Sequence, residues 1–112
     1  MYEYNGIVTK VQDVESVTIK MSLGFGICVE QDFRLYGIDP KIGGTVDHYQ
    51  QHNGKERLRQ FILNKNVIVK SYKHKSGIYL ADMYIETSHG IICINDWLVT
   101  EKLAVYRNNK NI

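Results

Sequence analysis

Two histidines stand four residues apart, His48 and His52, a spacing at which imidazoles could share a metal ion if the backbone between them were helical. Their neighbours Gln50, Gln51, Asn53 and Gly54 read as a loop, so no metal centre is expected there. His74 and His89 lie among turn-forming residues. The two cysteines, Cys28 and Cys93, have no CxxC spacing, which argues against a zinc or redox site. Each sits in an apolar run (Gly26-Ile27-Cys28-Val29 and Ile91-Ile92-Cys93-Ile94) and is expected to be a buried thiol. Charge is the remaining chemical signal. Residues 1–54 carry four Lys/Arg against seven acids, whereas residues 55–112 carry ten against five. This basic bias permits contact with nucleic acid, without the dense stripe of a strong duplex binder.

The elements that must position these residues follow from their periodicity. The chain of 112 residues is long enough for one domain with a real core. No run approaches the roughly 18 apolar residues of a membrane span. The N-terminal Met1-Tyr2-Glu3-Tyr4 has neither a basic nor an apolar leader region, so a cytoplasmic setting is expected. Ile7 to Val11 reads as a strand with Ile7, Thr9 and Val11 on one face and Val8 and Lys10 on the other. Val17-Thr18-Ile19-Lys20-Met21 alternates, with Val17, Ile19 and Met21 inward, and makes a hairpin with the first strand. Leu23 to Val29 extends that second strand and bends it at glycine, and Phe33 to Ile38 is a third strand ending at Asp39-Pro40.

Lys41 to Asn53 reads as a loop and is expected to be the most mobile internal region. Gly54 to Asn64 reads as a helix placing Leu58, Phe61 and Ile62 on the core. Strands follow at Asn66–Lys73 and Ile78–Ile85. Asn95 is expected to cap a second helix, Asp96 to Leu103, and residues 107–112 to form a frayed polar tail. The order β-β-β-α-β-β-α suggests a five-stranded OB-fold barrel with two helices, an α+β single domain over residues 1–112.

Four ordered segments resemble the staphylococcal-nuclease (thermonuclease, SNase-like) family. Thr9-Lys10-Val11-Gln12-Asp13-Val14-Glu15-Ser16-Val17 is similar to the family's V-x-V-x-D-G-D-T-V hairpin. Arg34-Leu35-Tyr36-Gly37-Ile38-Asp39 is similar to its R-L-x-G-I-D-[TA]-P-E. Ile78 to Tyr84 sits where Y-G-R-x-L-A-x-V-Y belongs, and Ile94 to Ala104 is similar to V-N-x-x-L-V-x-x-G-L-A. The resemblance covers roughly residues 4–106 and implies calcium-assisted phosphodiester chemistry on a small barrel.

By that resemblance Asp39 is a calcium-binding carboxylate, Glu15 a lengthened second ligand, and Arg34 a phosphate-binding arginine. Val14 replaces the glycine of the D-G-D turn, so the turn is expected to change shape. The glutamate base falls on Lys41 or Ile42 and the second arginine on Ile78, so both roles are lost. Asp47 or Glu56 could substitute for the base, and Lys73 or Lys75 for the arginine, as point charges without the fork. Tyr106 falls near a nucleotide-contacting region. Each lost electrostatic partner costs roughly 10²–10³ in rate.

Three functions are therefore expected in order. The first is a degenerate SNase-like barrel that binds nucleic acid, a nucleotide or a protein partner through Arg34, Lys73, Lys75 and Tyr106, without nuclease activity. The second is an active calcium-dependent nuclease with a rearranged site. The third is a structural or partner-binding protein, of a kind that the Asn-, Lys-, Ile- and Tyr-rich composition would suit in a virus or phage of an AT-rich host. No other cofactor and no membrane contact are expected.

Overall fold

Alternating strands need a surface that curls enough to bury one face, and here they close on themselves. The computed structural model describes residues 2–40, 48–73 and 79–107, with side chains for all of these except residues 2, 40, 48–53 and 73. The elements are β1 (Tyr2–Asp13), β2 (Ser16–Ser22), β3 (Cys28–Leu35), β4 (Ile38–Pro40), α1 (His48–Ile62), β5 (Asn66–Lys73), β6 (Tyr79–Thr87), β7 (Gly90–Cys93), α2 (Ile94–Thr100) and β8 (Ala104–Tyr106). β1 pairs antiparallel with both β2 and β5, β2 with β3, and β5 with β6. The ring closes where β3 and β6 run parallel, Arg34 opposite Leu80 and Leu35 opposite Ala81. The result is a closed five-stranded, OB-like barrel with two helices. β7 extends β6, and β4 with β8 forms a separate two-stranded sheet, so the strands outnumber the sequence expectation by three short segments.

Val17, Ile19 and Met21 point inward as their period requires. β1 does not keep the expected faces. Its register with β2 shifts between Val8 and Lys10, so Val8 and Val11, three apart, are both buried while Ile7 is exposed. A bulge adds one residue to one strand and resets its phase, which a strict period of two cannot anticipate. Leu23 to Val29 also departs from expectation: the chain turns back there and β3 starts at Cys28. Cys28 is exposed and Cys93 half-buried, so neither is the buried thiol expected.

α1 begins at His48, six residues before Gly54, so residues 48–53 are helix and not loop. Once Leu58 and Ile62 are fully buried, the helix is nucleated and each further residue adds a hydrogen bond at little cost. His48 and His52 thus stand one helical turn apart, with side chains outside the described set. Lys41 to Asp47, the rest of the expected loop, lies outside the described residues. Phe61 is only half-buried and packs on Trp97, ring centroids 4.4 Å apart. Arg57 reaches Glu101, joining α1 to the end of α2.

Asn95 does not cap α2; Cys93 holds the cap position without a side-chain bond. The Asn95 amide points inward instead, 3% exposed. Its Oδ1 accepts the Met83 N–H at 3.1 Å, and its Nδ2 donates to the carbonyls of Tyr36 (2.9 Å) and Ala81 (3.1 Å) and to Asp82 Oδ1 (3.3 Å). Asp82 also accepts the Tyr72 hydroxyl at 2.6 Å, which pushes the Tyr72 pKa up to about 12. Replacing Asn95 by leucine strands several of these groups in the interior, at a cost of about 1–3 kcal/mol for each one left unsatisfied. Asn95→Leu should therefore lose roughly 3 kcal/mol or more of unfolding free energy by urea denaturation. An exposed control on the same helix, Thr100→Ala, should change it by less than about 0.5 kcal/mol.

Candidate functional site

Asp39 and Arg107, far apart in sequence, are brought together by a turn and a short ladder. After β3 the chain turns at Tyr36-Gly37, where Gly37 is left-handed at φ 77°, a conformation open to glycine at no steric cost. The Gly37 carbonyl accepts the Arg107 N–H at 2.9 Å. β4 and β8 then pair, Ile38 opposite Tyr106 and Asp39 opposite Val105, anchored by the buried Ile38 and Ala104. The Arg107 guanidinium closes on Asp39 from two nitrogens, Nη2 to Oδ1 at 2.6 Å and Nε to Oδ1 and Oδ2 at 3.2 and 3.3 Å. That bond holds the Asp39 carboxyl below its ordinary pKa and pushes Arg107 up.

The β1–β2 turn supplies the third member. Asp13 Oδ1 accepts the Val14 N–H at 2.7 Å, closing a turn that needs no left-handed residue at Val14. Val14 is instead a core side chain, 3% exposed. It packs so close under α1 that a Cβ on Gly54 would stand 3.2 Å from its Cγ2. The Glu15 carbonyl accepts the Leu35 N–H at 2.8 Å, which docks the turn on the end of β3. Burial pushes the Glu15 carboxyl up; Asp13 and Asp39 add to this, and Arg34 and Arg107 oppose it. Glu15, Arg34, Asp39 and Arg107 therefore act on one another in one corner of the barrel.

Arg34 is half-exposed, and its guanidinium forms no hydrogen bond or ion pair with a described residue; it meets Glu15 and Asp39 only through space. It lines an open pocket of about 310 Å³ with Gln12, Ser16, Gln31, Asp32, Phe33 and Tyr79. Asp32 is held there by the Thr18 hydroxyl at 2.6 Å and the Gln12 amide at 3.1 Å.

Of the other expected residues, Tyr106 lies on the same β4–β8 ladder, and the rest are bonded elsewhere or lie outside the described set. Tyr106 is exposed, and its hydroxyl donates to Asp96 Oδ1 at 2.9 Å, which raises its pKa. Glu56 pairs with Arg59 on its own helix at 3.2 Å. Lys73 ends β5, its side chain outside the described set, and Lys41, Ile42, Asp47, Lys75 and Ile78 lie outside the described residues. Arg107 was missed because residues 107–112 read as a polar tail. The signal was the short apolar Ala104-Val105-Tyr106 before it, which pairs as β8.

The signs of the two carboxyl shifts can be tested. Asp39 is depressed in the folded protein, so its pairing stabilises fully above the ordinary carboxylate pKa and is lost as pH falls through the lowered value. Glu15 is raised, so its ionised form costs stability above the folded pKa, and the cost disappears in acid. Glu15→Gln should therefore stabilise the protein at neutral pH, and the gain should vanish below the ordinary glutamate pKa, measured as urea midpoints across pH.

Comparison with protein-family models finds no match for this chain, and comparison with curated protein sequences finds none either.

Proposed function

We propose that this protein binds the phosphate groups of single-stranded nucleic acid or a nucleotide at the Arg34 corner, as a degenerate SNase-like barrel that does not hydrolyse them. The observation that carries this reading is the Arg107 guanidinium seated on Asp39 beside an Arg34 whose guanidinium has no bonded partner among the described residues. Calcium would need free, ionised oxygens. Here both Asp39 oxygens are engaged by Arg107, and burial disfavours the ionised form of Glu15. The two guanidiniums offset the Glu15 and Asp39 carboxylates, with Asp13 beside Glu15 and Asp32 in the pocket next to Arg34. Among the described residues no group of three or more His, Cys, Asp or Glu side chains could hold a metal. The donor set does not fit calcium.

Binding remains well supported. A guanidinium offers five donors in a planar fork that matches phosphate. In the pocket beside Arg34 the Gln12 and Gln31 amides are turned to Thr18 and Asp32, and Tyr79, 41% exposed, offers a ring against which a base can stack. Phe33 holds Tyr79 edge-on, ring centroids 6.3 Å apart. The four resembling segments, in order along the chain, support the SNase-like part of the reading.

Fluorescence anisotropy with a labelled single-stranded oligonucleotide tests the reading. Arg34→Ala should weaken binding about 10–100-fold, and affinity should fall with rising salt. Unchanged binding in Arg34→Ala would remove the site. Cleavage that needs calcium, stops with chelator and is abolished by Arg34→Ala in a folded protein would instead put the nuclease first.

A second measurement addresses the metal. Calcium at millimolar concentration should leave the thermal midpoint of the wild type unchanged. Arg107→Ala releases both Asp39 oxygens, and calcium should then raise the midpoint of that variant.

A further inference from the structure

The hairpin of β2 and β3 runs beyond the barrel as a free arm. Nine consecutive residues, Ser22 to Glu30, are exposed, although Ser22 and Cys28 still pair across the arm. At its tip Leu23 N–H bonds the Ile27 carbonyl and Ile27 N–H the Gly24 carbonyl, both at 2.9 Å. Gly24, Phe25 and Gly26 are all left-handed, at φ 86°, 55° and 75°. For phenylalanine that conformation costs roughly 1–2 kcal/mol. The same Phe25 is 102% exposed, beside exposed Leu23, Ile27 and Val29. An apolar tip that is both strained and solvated is costly in a monomer, and such patches mark contact surfaces.

The chain also carries the cavity that fits this tip. An open groove of about 380 Å³ lies on the inner face of the arm, lined mainly by Tyr4, Met21, Leu23, Val29, Phe33 and Tyr79. A cavity of about 150 Å³ already accepts a benzene ring. Beside the groove, β3 is paired on its second side only at Arg34 and Leu35, so no described strand covers Cys28 to Phe33. Knob, groove and open strand edge sit on one hairpin, the self-complementary arrangement of a twofold contact.

We propose that the arm joins two copies of this chain, β3 pairing antiparallel with β3 of the second copy about a twofold at Val29. Charge and shape select that register. Centring on Glu30 sets it against its own copy, and centring on Gln31 sets Glu30 against Asp32, both like-charge pairs. Centring one position toward the tip, on Cys28, brings the turn that carries Phe25 only to the level of Gln31. The Val29 register sets Glu30 opposite Cys28 and brings that turn to the level of Phe33, at the groove. Arg34 alternates with Phe33 onto the other face of β3, and the groove adjoins the Arg34 pocket through Gln31, Phe33 and Tyr79, which line both.

Sedimentation velocity on the full chain tests this. The wild type should be dimeric at micromolar concentration, and Phe25→Asp should weaken the dimer about 30-fold or more, with unchanged circular dichroism and thermal midpoint. In a Cys28→Ser, Cys93→Ser background, Val29→Cys lies on the axis. Directly opposed residues in such a pair have Cα atoms about 4.5–5.5 Å apart, within disulfide range. It should oxidise to a covalent dimer, while Thr100→Cys in the same background should not. A wild type that stays monomeric, a dimer that survives Phe25→Asp, or equal cross-linking at both cysteines overturns the proposal. So does a monomer whose arm, on Phe25→Asp, loses binding to oligonucleotide or to neutral phosphatidylcholine vesicles, which would assign the arm to that ligand.

Discussion

The carboxamide of Asn95 is the interaction on which the rest of this structure depends. It is buried, and its four hydrogen bonds tie α2, on which it sits, to two further elements, β6 and the turn after β3. A neutral amide suits this place because it donates and accepts at once; an apolar side chain or a carboxylate would leave partners unmatched in a low-dielectric interior. β3 and β6 meet over only two residue pairs, the shortest seam in the barrel. The Tyr36 N–H bonded to the Ala81 carbonyl at 2.8 Å and the Asn95 amide together brace that seam. The Tyr36 and Tyr72 rings, 4.8 Å apart, cover it.

The charged corner hangs from the same brace. Fixing Tyr36 fixes Gly37, whose carbonyl receives the Arg107 N–H, and so sets the β4–β8 ladder that carries Asp39. An exposed ion pair such as Asp39–Arg107, its side chains 41% and 43% accessible, adds at most about 1 kcal/mol. Its consequence is chemical rather than energetic. A guanidinium takes up both oxygens of the Asp39 carboxylate. Burial of Glu15 disfavours its ionised form.

The arm obeys a different constraint. A two-stranded ribbon in water is marginal by itself, and residues 22–30 have no barrel surface over them. β3 is thus two strands in one. Its second half, Phe33 to Leu35, is core and site; its first half, Cys28 to Glu30, is exposed ribbon.

The sequence by itself determined the barrel. The period of two in Val17-Ile19-Met21 and the helical stripe Leu58-Ile62 depend on side chains nearby in the chain, and they survive in the fold. Glu15, Arg34 and Asp39 were legible as a set through resemblance, and the folded chain brings their charges within reach of one another. Tertiary structure alone decided the rest. The bulge that turns Val8 and Val11 to one face depends on the partner strand, not on β1. The helix gained residues 48–53 by propagation from its buried half. Asn95 turned inward because buried carbonyls and an N–H needed an amide there more than the helix end needed a cap. Arg107 acquired its role through a bond to Gly37, a residue about seventy positions away, and a contact of that range leaves no period or spacing in the chain to read.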